Sequence, residues 1–184
     1  MTPDEAVVAV LAALDAAAIP YMIVGSLASN FHGIPRATRD ADFVIRVSHD
    51  DLDRLEQHLV PGLSLDRQGG FEGVTGTLRH LITLADSVFV CELFQLSDDP
   101  HDVERFARRR AAQVLGHRAF VATAEDMIIT KLRWAVAADR SKDKDDVRNM
   151  LAVRGGELDW PYLQRWCVEH GTDALLQQIR SSVP

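Results

Sequence analysis

The chain has little cysteine: Cys91 and Cys167 are the two in 184 residues, far apart and without a CxxC spacing. That excludes a disulfide framework and a zinc ribbon, and makes a reducing, cytoplasmic setting the expectation. No run approaches the roughly 18 apolar residues of a membrane-spanning helix, so no membrane partner is expected. The opening MTPDEAVVAVLAALDAAA carries Asp4, Glu5 and Asp15 without a basic leader, which argues against a signal peptide. Positive charge is in deficit, with a net charge of -7. A protein that coats nucleic acid generally is disfavoured on that ground, because phosphate binding needs concentrated Lys and Arg. One local exception is ERFARRRAAQVLGHR, where Arg105, Arg108, Arg109, Arg110 and Arg118 form either a basic groove or a solvated helix face. Internal repeats and low-complexity linkers are also missing.

What is present reads as an ordinary globular chain. Hydrophobic residues make up 47% and charged residues 26%, so neither a disordered nor a fibrous class is favoured, and the length buries a core without staples. Thr2, Pro3 and Glu5 have the pattern of a capped helix start, and the helix runs to about Ala17. A strand is expected over 19–24, a turn at Gly25-Ser26, a short helix over 27–32, and a second strand over 42–47. Ser48 then caps a helix with apolar positions Leu52, Leu55 and Leu59. Further strands are expected at 63–67, 76–84 and 88–95, with Gly69-Gly70 and Asp86-Ser87 as turns, completing the sheet. Beyond Asp98 the pattern predicts helices over 103–112, 124–138, 144–151, 160–169 and 173–180, with an extended piece at 117–121. The class is α+β, a mixed β-sheet packed with helices. A strand-rich core over residues 1–100 and a mainly helical region over 101–184 are expected to pack as one unit.

Asp40 and Asp42 are one residue apart at the mouth of a strand, so the period of two puts both carboxylates on one face. Paired like charges are costly at close range unless a cation neutralises them, and Mg²⁺ favours a few carboxylates plus phosphate oxygens. A solvated turn is the alternative. Glu92 lies inside VFVCELF, where an ionised group needs compensation. If its strand neighbours that of Asp40, three carboxylates are available to two metal ions; otherwise Glu92 is an edge residue facing water. Gly25-Ser26, after a strand and before a helix, offers close backbone approach and free N–H donors to phosphate, or is an ordinary corner.

Residues 24–45, VGSLASNFHGIPRATRDADFVI, resemble the signature of the polymerase-beta-like nucleotidyltransferase superfamily, most closely its AbiEii-type toxin branch. The matching residues are Gly25-Ser26, Gly33, Arg36-Ala37-Thr38 and Asp40-Ala41-Asp42. A second block over 124–151 is similar to the later helical motif of that branch, with Lys131, Arg140, Lys142, Asp143 and Asp146 at the matching positions. The third acid is often aspartate there, so Glu92 departs from the pattern. The resemblance implies a nucleotidyltransferase core and transfer of a nucleoside monophosphate from an NTP such as ATP, with Mg²⁺ or Mn²⁺ on Asp40, Asp42 and Glu92. It implies nucleotide contacts from Gly25, Ser26, Lys131, Lys142, Asp143 and Asp146. Arg36 and Arg39, which flank the carboxylate strand, are second-tier candidates, either steering phosphate or equally serving as charge partners for the nearby acids. The resemblance further implies a tRNA or protein acceptor, and a toxin role beside a cognate antitoxin. Two alternatives stay open: a regulatory nucleotide-binding module without turnover, and a small-molecule nucleotidyltransferase of the aminoglycoside-modifying kind. From the residues alone, Lys131 is equally a helix lysine whose stem covers the core. Asp143 and Asp146 equally complement a helix N-terminus. His32, Trp134, Trp160 and Trp166 read as packing.

Overall fold

The Thr2 N–H donates to Glu5 Oε2 (2.7 Å) and the Glu5 N–H to Thr2 Oγ1 (3.2 Å), closing a reciprocal cap. Helix α1 (Pro3–Ala16) follows in the computed structural model, which describes residues 1–72 and 76–183. Val7, Val10, Leu11 and Leu14 recur at helical spacing along it and are all buried. Next come β1 (Tyr21–Val24), α2 (Gly25–His32), β2 (Asp40–Ile45) and α3 (His49–His58). The Asp51 carboxylate accepts from the Ser48 N–H at the start of α3 (2.6 Å). Strands β3 (Leu63–Glu72), β4 (Thr77–Leu84) and β5 (Val90–Gln95) precede α4 (Pro100–Arg108), β6 (Arg110–Val114) and β7 (His117–Val121). Four helices end the chain: α5 (Ala124–Ala138), α6 (Ser141–Arg154), α7 (Trp160–Glu169) and α8 (Asp173–Ser181).

These elements form two units. The first comprises Met1–Leu27 and Ala37–Val121, and the second Ala28–Arg36 with the chain from Ala122 onward. The second unit thus takes in most of α2 and the loop after it, together with the chain that follows β7.

The first unit is built on a seven-stranded mixed sheet in the order β3-β4-β5-β2-β1-β7-β6. Strand β2 is central, antiparallel to β1 and parallel to β5. Ala41, Phe43, Ile45, Cys91, Leu93, Ile82 and Leu84 occupy one set of alternate positions and are buried. On that pattern one sheet face belongs to the core. Helices α1 and α3 touch each other, and reach β7 and β3 respectively.

Three expectations are corrected here. The sheet does not end at Gln95, because β6 and β7 join its far edge. The helix expected over 103–112 stops at Arg108, and Arg110–Val114 is a strand paired with β7. Gly69-Gly70 is no turn but lies inside β3, where the pairing register with β4 shifts between Asp66 and Gly70.

In the second unit α5 packs on α6 and α7, α6 on α8, and α7 on α8. Asp126, fully buried on α5, accepts from Thr123 Oγ1 (2.6 Å) and from the Tyr162 hydroxyl of α7 (2.5 Å). A buried carboxylate without partners would be costly; the Thr123 donor caps α5 itself, and the Tyr162 donor ties α7 to α5. Among the described residues no helix is long and apolar enough to cross a membrane.

Candidate active site

The alternation that buries Ala41 and Phe43 leaves Asp40 and Asp42 half-buried on the other face of β2. In the parallel pairing of β2 with β5, Asp42 stands opposite Glu92 and Asp40 opposite Val90. Neighbouring strands lie about 4.7–4.9 Å apart, so register alone sets Asp42 and Glu92 side by side. The condition placed on Glu92 from the sequence, that its strand adjoin that of Asp40, is met.

Gly25 opposes the same row. Val24, the last residue of β1, pairs with Asp42, and Gly25 then turns into α2 with φ of +62°. A Cβ on Gly25 would lie 1.7 Å from Asp42 Oδ2 and 2.5 Å from its Cγ. Glycine is needed twice over, for the left-handed backbone and for the space the Asp42 carboxylate occupies. Ser26, the next residue, is buried at the start of α2.

Each flanking acid has a partner. The Thr38 hydroxyl donates to Asp40 Oδ1 (2.6 Å). Arg79 Nη1 donates to Glu92 Oε1 (3.2 Å). Arg79 comes from β4, where it pairs with Phe94 while Leu81 pairs with Glu92, so its guanidinium reaches Glu92 diagonally across the sheet. Opposite Arg79 on β3 is Gly70, whose Cβ, if present, would sit 3.8 Å from Arg79 Nη2. Sequence reading missed Arg79, since only the joint register of β3, β4 and β5 reveals it.

Oxygen donors in a row on a half-open face suit a hard divalent cation. The three carboxylates do not bring three oxygens within 4.8 Å of one another. Thr38 and Arg79 hold the outer two. Cys91, between Glu92 and the core, is inert: burial and then the Asp42 charge push its thiol up to about 12.

The later sequence block occupies the second unit and has a different character. Lys131 on α5 is buried and bonded to Asp143 (2.8 Å) and Asp146 (3.0 Å), both buried on α6. Arg36 grips Asp146 through Nε (2.8 Å) and Nη2 (2.9 Å). Arg140 Nε approaches Asp143 at 3.3 Å. Burial raises the Asp146 carboxyl, but the Arg36 hydrogen bond and the Lys131 charge outweigh it and hold it below the usual carboxylate range. Lys142 is exposed on the first turn of α6. Nearby, His32 Nε2 lies 2.7 Å from the Ala122 carbonyl, and burial lowers its pKa despite that bond. The Asn30 amide closes the 30–36 loop, donating to the Arg36 carbonyl (2.7 Å) and accepting from the Arg36 N–H (3.0 Å).

The arginine run is not a uniformly solvated face. Arg105 is buried and bonded to Asp102 (2.7 Å), and Arg109 stacks over Phe106 and Phe120 at 4.3 and 5.1 Å.

No family model matches this sequence, and no curated protein matches it either. Solved structures do. The solution structure of the antibiotic-resistance factor ANT(2'')-Ia matches with a TM-score of 0.61 at 15% identity, covering 95% of each chain. The crystal structure of ANT(2'')-Ia with adenylyl-2''-tobramycin gives 0.59 at 16% identity, covering 95% of this chain and 99% of that one. An antigenic nucleotidyltransferase-like protein from Paracoccidioides brasiliensis gives 0.58 at 19% identity, over 98% of this chain and 93% of that one. At such identities the likeness is one of fold, and it spans nearly the whole of each partner: the chain has an α+β fold of the nucleotidyltransferase-like kind.

Proposed function

We propose that this chain is a metal-dependent nucleotidyltransferase that moves a nucleoside monophosphate from an NTP to an acceptor hydroxyl. The observation that carries the reading is the juxtaposition at Asp42: Glu92 stands beside it by register, and its carboxylate lies in the space a Gly25 side chain would fill. The fold likeness to nucleotidyltransferase-like proteins supports it. Asp40 and Asp42 would hold Mg²⁺ or Mn²⁺, which when bound neutralises the triphosphate. Gly25 and Ser26, at the start of α2, present backbone N–H groups to phosphate oxygens. In the transfer the acceptor oxygen bonds to the α-phosphorus, the bond from that phosphorus to the β-phosphate breaks, and pyrophosphate leaves. Glu92 takes the hydroxyl proton.

Lys131, Asp143 and Asp146 enter this reading as the ion-paired frame of the helical unit, and Lys142 as the exposed cation of that block available to phosphate. The acceptor has two candidate classes. A tRNA or protein acceptor, the AbiEii-type assignment, a toxin role and an antitoxin partner rest on the residue resemblance over 24–45 and 124–151. A small-molecule acceptor is favoured by the near full-length likeness to a protein whose structure holds adenylyl-2''-tobramycin. The test is incubation with each labelled NTP, Mg²⁺ and cell extract, or tobramycin in place of extract. Label in RNA, protein or the aminoglycoside identifies the acceptor, and label in none of them under any NTP contradicts the proposal.

A further inference from the structure

Arg79 is a fixed cation at the edge of the acid row. Its Nη1 bonds to Glu92 Oε1 at 3.2 Å, with the two side chains 32% and 20% exposed. Its Nε is buried and makes no hydrogen bond, so the guanidinium is seated in the sheet and does not sweep through solvent. The seat is specific. Gly70, paired directly with Arg79, has no side chain to displace it, and Nη2 lies at ordinary contact distance from where that side chain would begin.

We infer that Arg79 takes the place of a second metal ion at Glu92, so that this face holds one divalent cation, on Asp40 and Asp42, and not two. The inference rests on the metal-dependent reading above. A divalent ion on Glu92 would share its carboxylate with a guanidinium already bonded there, and in a half-buried site the repulsion between the two cations is only weakly screened. Asp40 carries no such burden, being held by the neutral Thr38 hydroxyl, and Gly25 keeps a side chain off Asp42. Arg79 is thus a positioning residue. It fixes Glu92 Oε1 and leaves Oε2 to act as base toward the acceptor, where a metal ligand would have both oxygens drawn to the ion.

The test counts Mn²⁺, added alone, by the loss of its free electron paramagnetic resonance signal. Wild type and Arg79→Lys are expected to bind one ion per chain. Arg79→Met is expected to bind two, with the spectrum of a coupled pair about 3.5–4 Å apart. Glu92→Gln should still bind one, and this holds as an independent test if Arg79→Met fails to fold. Two ions in wild type, one ion of unchanged affinity in folded Arg79→Met, or loss of the ion in Glu92→Gln each overturns the inference while leaving the metal-dependent reading standing. A wild type that binds no ion overturns both.

Discussion

Two groups of aspartates occur in this chain, and their surroundings differ. On the sheet, Asp40 and Asp42 are half-buried, Asp40 is met by a neutral hydroxyl, and Asp42 faces a glycine backbone. In the helical unit, Asp143 and Asp146 have side chains 1% and 4% exposed and are met by Lys131, Arg36 and Arg140. A buried carboxylate that is already matched by cations is part of the frame, whereas a partly open one beside a side-chain-free backbone can take up a cation from outside. On the proposed reading the same residue type in one chain serves two ends, and surroundings decide which.

The sharpest way to break that contrast is Asp42→Asn. A neutral amide cannot hold metal against phosphate, so turnover should vanish while the melting temperature stays close to wild type. Retention of more than about a tenth of wild-type turnover at saturating Mg²⁺ contradicts the assignment, given the several kcal/mol such ions supply. Gly25→Ala should follow closely in effect. It strains a backbone at φ of +62° and drives a methyl into the Asp42 carboxylate, so both turnover and stability should fall, the latter by more than about 1 kcal/mol.

In the other unit the contrast predicts a stability effect. If Lys131 only contacted nucleotide, Lys131→Met would weaken nucleotide binding and leave stability nearly unchanged. The structure reverses the second half of that expectation, because removing the lysine strips a cation from two buried carboxylates. Denaturant unfolding should show a loss of about 3–5 kcal/mol, the usual cost of breaking a buried pair. Asp146 adds a pH signature. Its folded carboxyl sits below the ordinary range, so between the folded and unfolded values the unfolded chain binds more protons, and stability falls as pH falls. Its contribution is complete above about pH 5 and is lost through and below pH 4. Asp146→Asn should flatten that part of the stability profile. Lys142→Met is the smallest change: at an exposed site it should alter stability by no more than about 0.5 kcal/mol, and nucleotide affinity measured on the same variant tells whether it reaches phosphate.

Much of this was legible in the sequence because it is local. The Thr2 and Glu5 cap, the period of two at Asp40 and Asp42, and the Gly25-Ser26 corner each depend on a few adjacent residues. What failed depends on pairing between distant segments. The 103–112 stretch has helical composition, yet the chain leaves the helix at Arg109, whose guanidinium stacks on Phe106 and on Phe120 of β7. The turn that pairs β6 with β7 is Leu115-Gly116, both at positive φ. Its glycine was the available signal, and the leucine, seldom found in that conformation, hid it. Arg79 at Glu92 and Lys131 at Asp143 were invisible for the same reason, since sheet register and helix packing bring them together.

The central claim, that Asp42 and its neighbours take metal and nucleotide at one site, is tested most directly by thermal stability with Mg²⁺ alone, NTP alone and both together, in wild type and Asp42→Asn. A shared site predicts a rise with both ligands that exceeds the sum of the separate rises in wild type, because the cation binds through carboxylate and phosphate at once, and loss of that excess in the variant. Strictly additive shifts in wild type, or an excess that survives in Asp42→Asn, would contradict it.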